Sequence, residues 1–478
     1  MRYETVIGLE VHAELLTNTK IFCGCKNEFG GDANTHCCPV CLGLPGALPV
    51  LNGKVVEFAI KVGLATNCRV AEFSKMDRKN YFYPDLPKAF QISQYDLPLC
   101  SNGYIEIELK GETKKIRINR IHIEEDAGKL VHAENGGDYS LVDYNRAGVP
   151  LIEIVSEPDV RTPEEGRLYL EKLKSILEYL EVSDCKMQEG SLRCDANISL
   201  RPVGETKLGI KAEIKNMNSI KALQMALEYE QNRQAGLLDK GERVMQETRR
   251  WDDDKNISIS MRNKELAHDY RYFPEPDLTP LVVDMDLIEK IRATIPELPH
   301  EKEKRFIKEY GLPAYDAMVI TASKALAEFY EECLAEYNNP KPVSNWVMGE
   351  LLRLLNDKKL DIEHVKFPPA YLAELLKLVE DSTISGTAAK QVFEAMFESG
   401  KEPKVLVKEM GLEQINDKDA IFGIVRQIIE ENPKSVKDYK EGKDRAMGFL
   451  VGQTMKASKG KGNPQIISKI IKDIIDSI

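Results

Sequence analysis

The chain has 478 residues, 42% hydrophobic and 30% charged, with a net charge of −11 at pH 7. That length exceeds what one hydrophobic core supports, so two or three domains are expected, and the acidic balance excludes wholesale electrostatic binding of nucleic acid while leaving room for a local basic module. No apolar run reaches the roughly 18 residues of a membrane span, and the chain enters a strand-like run without a basic, apolar leader, so a cytoplasmic protein is expected.

The first element, residues 4–14, reads as a buried strand. Side chains alternate across a strand, so Ile7, Leu9 and Val11 share one face while Gly8, Glu10 and His12 share the other. A Glu-x-His pair of this kind is either polar surface or half of a metal or acid/base site. Next come five of the ten cysteines, Cys23, Cys25, Cys37, Cys38 and Cys41. Cys23-x-Cys25, twelve residues, then Cys38-x2-Cys41 sets two thiolate pairs across a short loop, the arrangement that suits tetrahedral zinc. Cys37 and His36 are possible substitute ligands, and reduced structural cysteines or an iron-sulfur cluster are the alternatives. Four thiolates leave no open coordination position, so such a zinc is structural.

An alternating strand from Lys115 ends in Glu124, Glu125 and Asp126, three consecutive carboxylates that either form a turn or supply hard oxygen donors to magnesium beside Glu10 and His12. Thr162-Pro163-Glu164-Glu165 supplies an N-cap, a first-turn proline and a capping-box glutamate for a helix with an apolar stripe through Leu180. Residues 191–201 and 208–216 alternate and are joined by Pro202-Val203-Gly204-Glu205, which predicts a hairpin. With the turn centred near Gly204, Asp195 faces Glu213 and Arg193 faces Lys215. Like charges opposed across a ladder are unfavourable, and a cation between the carboxylates with a phosphate near the two bases would account for them. A second helix is predicted over 219–237. No Gly-x-Gly-x-x-Gly turn, phosphate loop or Gly-x-Ser-x-Gly elbow occurs, so any nucleotide site is built from side chains on a sheet.

Residues 1–293 therefore read as α+β, and from 294 onward the pattern is helical. Ile295-Pro296-Glu297-Leu298-Pro299 marks a linker; amphipathic helices follow over 302–310, 322–337, 344–356, 369–380 and 387–398. A break near Gly411 precedes a last segment in which Asn463 caps an isoleucine-striped helix. From Pro433 to the end, ten Lys+Arg stand against five Asp+Glu. Lys456, Lys459 and Lys461, around Gly460 and Gly462, are the candidate phosphate-backbone contacts.

The runs at residues 4–12, 77–88, 120–129, 143–151, 193–197 and 268–278 resemble, in order, the B subunit of the aspartyl/glutamyl-tRNA amidotransferase of bacteria and organelles. Among them are Asp77-Arg78-Lys79-Asn80-Tyr81-Phe82-Tyr83-Pro84, Asp143-Tyr144-Asn145-Arg146-Ala147-Gly148 and Arg193-Cys194-Asp195-Ala196-Asn197. Gly448 to Met455 resembles that family's tail, so the likeness runs the full length. It implies a catalytic cradle similar to glutamine synthetase over 1–293 with a zinc knuckle near 23–41, a helical domain over 294–410 and a tRNA-binding helical tail over 411–478. It further implies ATP-dependent amidation of misacylated Glu-tRNA(Gln) or Asp-tRNA(Asn), with magnesium, a glutaminase A subunit and a small C subunit as partners, and neither DNA nor membrane. The alternative is a non-catalytic tRNA-binding zinc scaffold. Carried over by position, Glu10, His12 and Glu125 are the expected magnesium ligands or shaping groups, with Glu124, Asp195 and Glu213 as further carboxylates. Arg193 and Lys215 are expected to meet phosphate, and Lys79 and Arg146 to meet ATP or the tRNA acceptor end.

Overall fold

A computed structural model describes residues 2–132, 137–261, 270–414, 418–443, 445–458 and 462–477. The chain divides into two compact units, Met1–Leu298 and Pro299–Ile478.

The first unit is built on a nine-stranded sheet, and the 12-residue strand Tyr3–Glu14 runs through its middle. On one side of it lie Leu192–Pro202, Ala212–Lys215, Glu247–Asp252 and Ile257–Ser260; on the other lie Pro150–Ser156, Glu112–Glu125, Cys100–Leu109 and Arg69–Val70. All pairings are antiparallel except Ala212–Lys215 with Glu247–Asp252. Ile7, Leu9 and Val11 are fully buried against the helix Pro163–Tyr179 and its neighbours, which cover one face of the sheet. The alternation thus leaves Gly8, Glu10, His12 and Glu14 on the uncovered face.

Helix Pro163–Tyr179 starts as its sequence predicts, with the Thr162 hydroxyl accepting from Glu165 N at 3.1 Å. Glu165 Oε2 returns to Arg161 N at 2.6 Å, one residue ahead of the capping-box position, and the same oxygen accepts from Lys114 Nζ at 2.7 Å. The helices Gly53–Ala65 and Ile220–Asp239 complete the layer.

The hairpin register differs from the one expected. Ala196 faces Ile214 and Asn197 faces Glu213, so the ladder is offset by two residues from the arrangement centred on Gly204. Lys215 consequently reaches Asp195 across the strands. The physical reason lies in both rungs. The expected register stacks like charges, and the observed one exchanges them for a salt bridge while keeping every side chain on its face, because the offset is even. The second strand is also shorter than expected, Ala212–Lys215.

The second unit is helical and holds two separate hydrophobic clusters, one from Phe306 to Val407 and one from Ile421 to Ile475. Ala314–Thr321 is a helix that sequence reading did not anticipate; Pro313 stands at its N-cap position and no side chain caps it, so the usual start signal is absent. The helix expected over 344–356 is three segments, Pro340–Trp346, a π turn at Val347–Leu351 and Leu352–Lys358. Among the described residues no helix is long and apolar enough to cross a membrane.

Candidate active site and thiolate knuckle

The uncovered face of the sheet gathers polar groups from five strands. The pairing sets His12 opposite Arg193 on one side and opposite Glu153 on the other, and Glu153 opposite His122. His12 Nε2 lies 3.4 Å from Glu124 Oε1 and 3.8 Å from Glu153 Oε2. One ligand atom from each of these three residues falls within 4.8 Å of the others, a spacing that fits a metal ion. His122 Nε2 approaches Glu153 Oε2 at 3.0 Å, and its Nδ1 is buried with no hydrogen-bond partner among the described residues.

Glu10 stands beside this cluster and accepts from Asn197 Nδ2 at 2.9 Å. Burial raises the Glu10 pKa, and the charges of Glu153, Glu213 and Asp195 add to it. At Glu153 burial pulls the same way, but the His122 hydrogen bond and the charges of His12 and Arg120 hold it well below the usual carboxylate range. Lys215 sits between Asp195 and Glu213, 3.0 Å from the latter. Burial pulls the Lys215 pKa down, and these two carboxylates more than reverse it. Glu213 also accepts from Thr248 Oγ1 at 2.8 Å.

At the far end of the first strand, burial pushes the Glu14 carboxyl up to about 7, with the Asp126 charge adding and Arg193 and Arg146 opposing. Arg193 Nη2 lies 3.0 Å from Asp126 Oδ2. Arg146 donates to the carbonyls of Ala127 and Gly128 at 3.0 and 2.8 Å and comes within 3.5 Å of Asp126.

The face therefore unites Glu10, His12, Glu124, Asp195, Glu213, Arg193 and Lys215. Glu125 is not on it. Strand alternation turns Glu125 the other way, where it pairs with Lys88 and accepts from Ile92 N at 2.9 Å, in a cavity of about 130 Å³ that Arg78, Glu275, Cys23 and Cys41 also line. Its expected place beside His12 is taken by Glu124 and Glu153. Glu14, His122 and Glu153 were not singled out from sequence, although two of them continue an alternation already visible: Glu14 follows His12 by two, and His122 precedes Glu124 by two. Lys79 lies with its Nζ 4.9 Å from the Tyr270 ring.

Beside the sheet, Cys23, Cys25, Cys38 and Cys41 bring four Sγ atoms within 4.8 Å of one another, and Cys38 N donates to Cys41 Sγ at 3.0 Å. Four thiols at this spacing suit zinc. Cys37 turns instead toward Asn145, 3.8 Å away. The knuckle is bound to the loop that carries Arg146 by Lys20, which is fully buried: its Nζ donates to His36 O and Ala147 O, both at 2.7 Å, and to Tyr144 O at 3.3 Å. In the second unit, Lys456 is exposed on the helix Arg445–Ala457. Lys459 and Lys461 lie outside the described residues, as do His268 and Asp269 of the run at 268–278.

A family described as the GatB/GatE catalytic domain matches residues 5–289, and one described as the GatB domain matches 328–475. The chain is 65% identical over 473 residues to the B subunit of the aspartyl/glutamyl-tRNA(Asn/Gln) amidotransferase of Thermoanaerobacter sp. (strain X514), covering 99% of each chain. It is 63% identical over 481 residues to the corresponding chain of Caldicellulosiruptor bescii and 58% identical over 479 to that of Clostridium tetani, with full coverage of both. The α+β sheet with its charged face and the two matched domains define a component of an aminoacyl-tRNA amidotransferase, a ligase. Within that class the chain belongs to the family of aspartyl/glutamyl-tRNA(Asn/Gln) amidotransferase B subunits.

Proposed function

We propose that the charged sheet face activates the side-chain carboxylate of Glu-tRNA(Gln), Asp-tRNA(Asn) or both, at the expense of ATP, for attack by ammonia. The observation that carries this reading is the convergence of His12, Glu124 and Glu153 within 4.8 Å of one another. A carboxylate is a poor electrophile at neutral pH, so its oxygen first takes the γ-phosphoryl group. Ammonia then attacks the carbonyl carbon, the bond to the phosphate oxygen breaks, and one proton leaves the nitrogen. Bound magnesium would neutralise charge on the transferring phosphoryl group.

His12, Glu124 and Glu153 are the groups suited to hold that ion, and Glu10, fixed by Asn197, shapes the space beside it. Lys215, steadied between Asp195 and Glu213, and Arg193, steadied by Asp126, present cationic donors to phosphate oxygens. The four knuckle cysteines hold a structural zinc. Ammonia comes from a glutaminase A subunit, a small C subunit completes the assembly, and the tail over 411–478 contacts tRNA through its lysines, Lys456 among them.

The test uses the three-subunit complex with mischarged tRNA, ATP and an ammonium salt, and follows amide formation. His12→Ala and Glu124→Gln should each lower ammonia-dependent kcat by on the order of a hundredfold or more. Both variants retaining full ammonia-dependent activity would overturn the reading and leave a tRNA-binding scaffold. Removing residues 411–478 should weaken tRNA binding and leave ATP binding intact; equal tRNA affinity would remove the tail from the interface.

A further inference from the structure

Two sequence runs about 190 residues apart meet beside the active face. Strand Asp77–Asn80 pairs antiparallel with Phe273–Pro274, setting Arg78 opposite Phe273 and Asp77 opposite Pro274. Arg78 holds Glu275 through two donors at 2.7 and 2.9 Å, Asn80 N donates to Tyr270 O at 2.9 Å, and Asn80 Nδ2 donates to Arg271 O at 2.9 Å.

This pairing assembles a ladder of four tyrosines. Tyr95 and Tyr272 stack with centroids 4.1 Å apart and planes 8° from parallel. Tyr270 meets Tyr272 edge-on at 6.1 Å, and Tyr81 meets Tyr270 edge-on at 5.9 Å. Lys79 Nζ stands over two of the rings, 4.9 Å from Tyr270 and 5.7 Å from Tyr81. None of the four belongs to the hydrophobic core of the unit, and Tyr95 and Tyr270 are exposed, the former by 58%. The inner end is tied to the strand that carries Glu124: Tyr81 donates through its hydroxyl to Gln91 Oε1 at 3.3 Å, and Gln91 Nε2 donates to Glu125 O at 2.7 Å.

Rings that do not fill a core, two of them open to solvent, with a lysine among them, are the apparatus by which proteins hold unpaired nucleotides, bases on aromatic faces and backbone phosphates on cations. We propose that Tyr81, Tyr95, Tyr270, Tyr272 and Lys79 form a stacking platform for the unpaired 3′ end of the aminoacylated RNA, a subsite that the function proposed above requires and does not itself locate. The inference rests on that function. An amino acid ester-linked to the terminal ribose is short, so the terminal nucleoside has to sit against the wall of the site that receives the side-chain carboxylate. A ladder of successive rings suits a run of bases, whereas the adenine of ATP would need a single face. Lys79 is placed for the phosphodiester between them.

The experiment uses the full complex. Its first arm is the unmodified complex with mischarged tRNA, ATP and an ammonium salt; absence of amide there defeats the proposed function and not the platform. The second arm compares Tyr95→Ala and Tyr272→Ala with Tyr95→Phe and Tyr272→Phe. Each alanine variant should raise KM for the aminoacyl-tRNA about tenfold, the loss expected for one base–aromatic stack, leave KM for ATP unchanged, and bind tRNA trimmed of its unpaired 3′ nucleotides as the wild type does. The phenylalanine variants, which keep the ring and fold, should restore the tRNA value. A third arm reads binding directly: 2-aminopurine at the 3′-terminal position should lose fluorescence on binding the wild type and keep it with the alanine variants. A raised KM for ATP with unchanged tRNA binding would assign the rings to the nucleotide and overturn the proposal. Unchanged constants for both substrates, with no quenching in the wild type, would reduce the ladder to packing.

Discussion

Lys20 offers the sharpest test of how the knuckle and the active face are joined. Its ammonium is the donor to His36 O, Ala147 O and Tyr144 O, while its backbone N–H donates to Cys25 O and the next residue, Ile21, donates to Gly148 O. Lys20→Met keeps the stem and removes all three donors. A buried carbonyl stripped of its partner costs about 1–3 kcal/mol. The two short bonds at 2.7 Å carry most of that loss and the one at 3.3 Å little. Part of it is returned, because no ammonium has to be desolvated any longer. The net loss should be about 3 kcal/mol, which for a unit of this size lowers Tm by roughly 5 °C.

The assay is thermal and denaturant unfolding, paired with the rate at which a thiol reagent modifies the cysteines. Because Ala147 and Arg146 are adjacent, the variant should also weaken the hold of Arg146 on Ala127 O, Gly128 O and Asp126. Knuckle cysteines should react faster, and ammonia-dependent turnover should fall with stability. Lys20→Met unfolding within about 0.5 kcal/mol of the wild type, with cysteine reactivity unchanged, would refute the claim that this ammonium binds knuckle to loop.

Cys38→Ser should abolish the zinc content measured by elemental analysis and lower stability more than turnover; a folded variant without chemistry would contradict a structural role. At Gly103 an added methyl would stand 2.3 Å from Cys68 Sγ and 2.6 Å from Thr66 O, so Gly103→Ala should cost about 1–3 kcal/mol by overpacking against backbone, read as a lowered denaturation midpoint. In the helical unit, Glu331 takes bonds from Lys302 and Arg305 at 2.7 and 2.6 Å. Burial alone would raise its pKa, and these bonds turn the net shift downward. A depressed carboxyl contributes stability above its unfolded value and loses it as pH falls through the folded one. Glu331→Gln should therefore destabilise by about 1 kcal/mol at pH 7, after solvent screening, and match the wild type once the pH lies below the folded value; a gap that widens on acidification would reverse the assignment.

The alternations were legible because a strand's period of two is a local property. The run Ile7, Leu9, Val11 against Glu10 and His12 stated which side of the first strand meets the core, and the four cysteines stated their own geometry through spacing. The Thr162–Glu165 cap marked a helix start because all its partners lie within one turn. Register is different, since it depends on which cross-strand pairs gain most. The observed register, two residues away from the symmetric hairpin, puts Lys215 rather than Glu213 against Asp195, the electrostatically favourable exchange.

The three consecutive acids at 124–126 could not reveal from their run alone that Glu124 faces His12 while Glu125 turns to Lys88. That division follows from the strand continuing through both residues. Glu153 reaches His12 and His122 only because its strand lies between theirs in the sheet, and the tyrosine ladder exists only because Arg78 pairs with Phe273. By itself, then, the amino-acid sequence determined the family, the α+β and helical character, the face of the first strand and the thiolate set, all carried by contacts near in the chain or by long specific runs. The tertiary structure alone decided which carboxylates share a metal-sized space and which aromatic rings share a surface, because those neighbours are brought together by strand order and register, and neither is written at any one position.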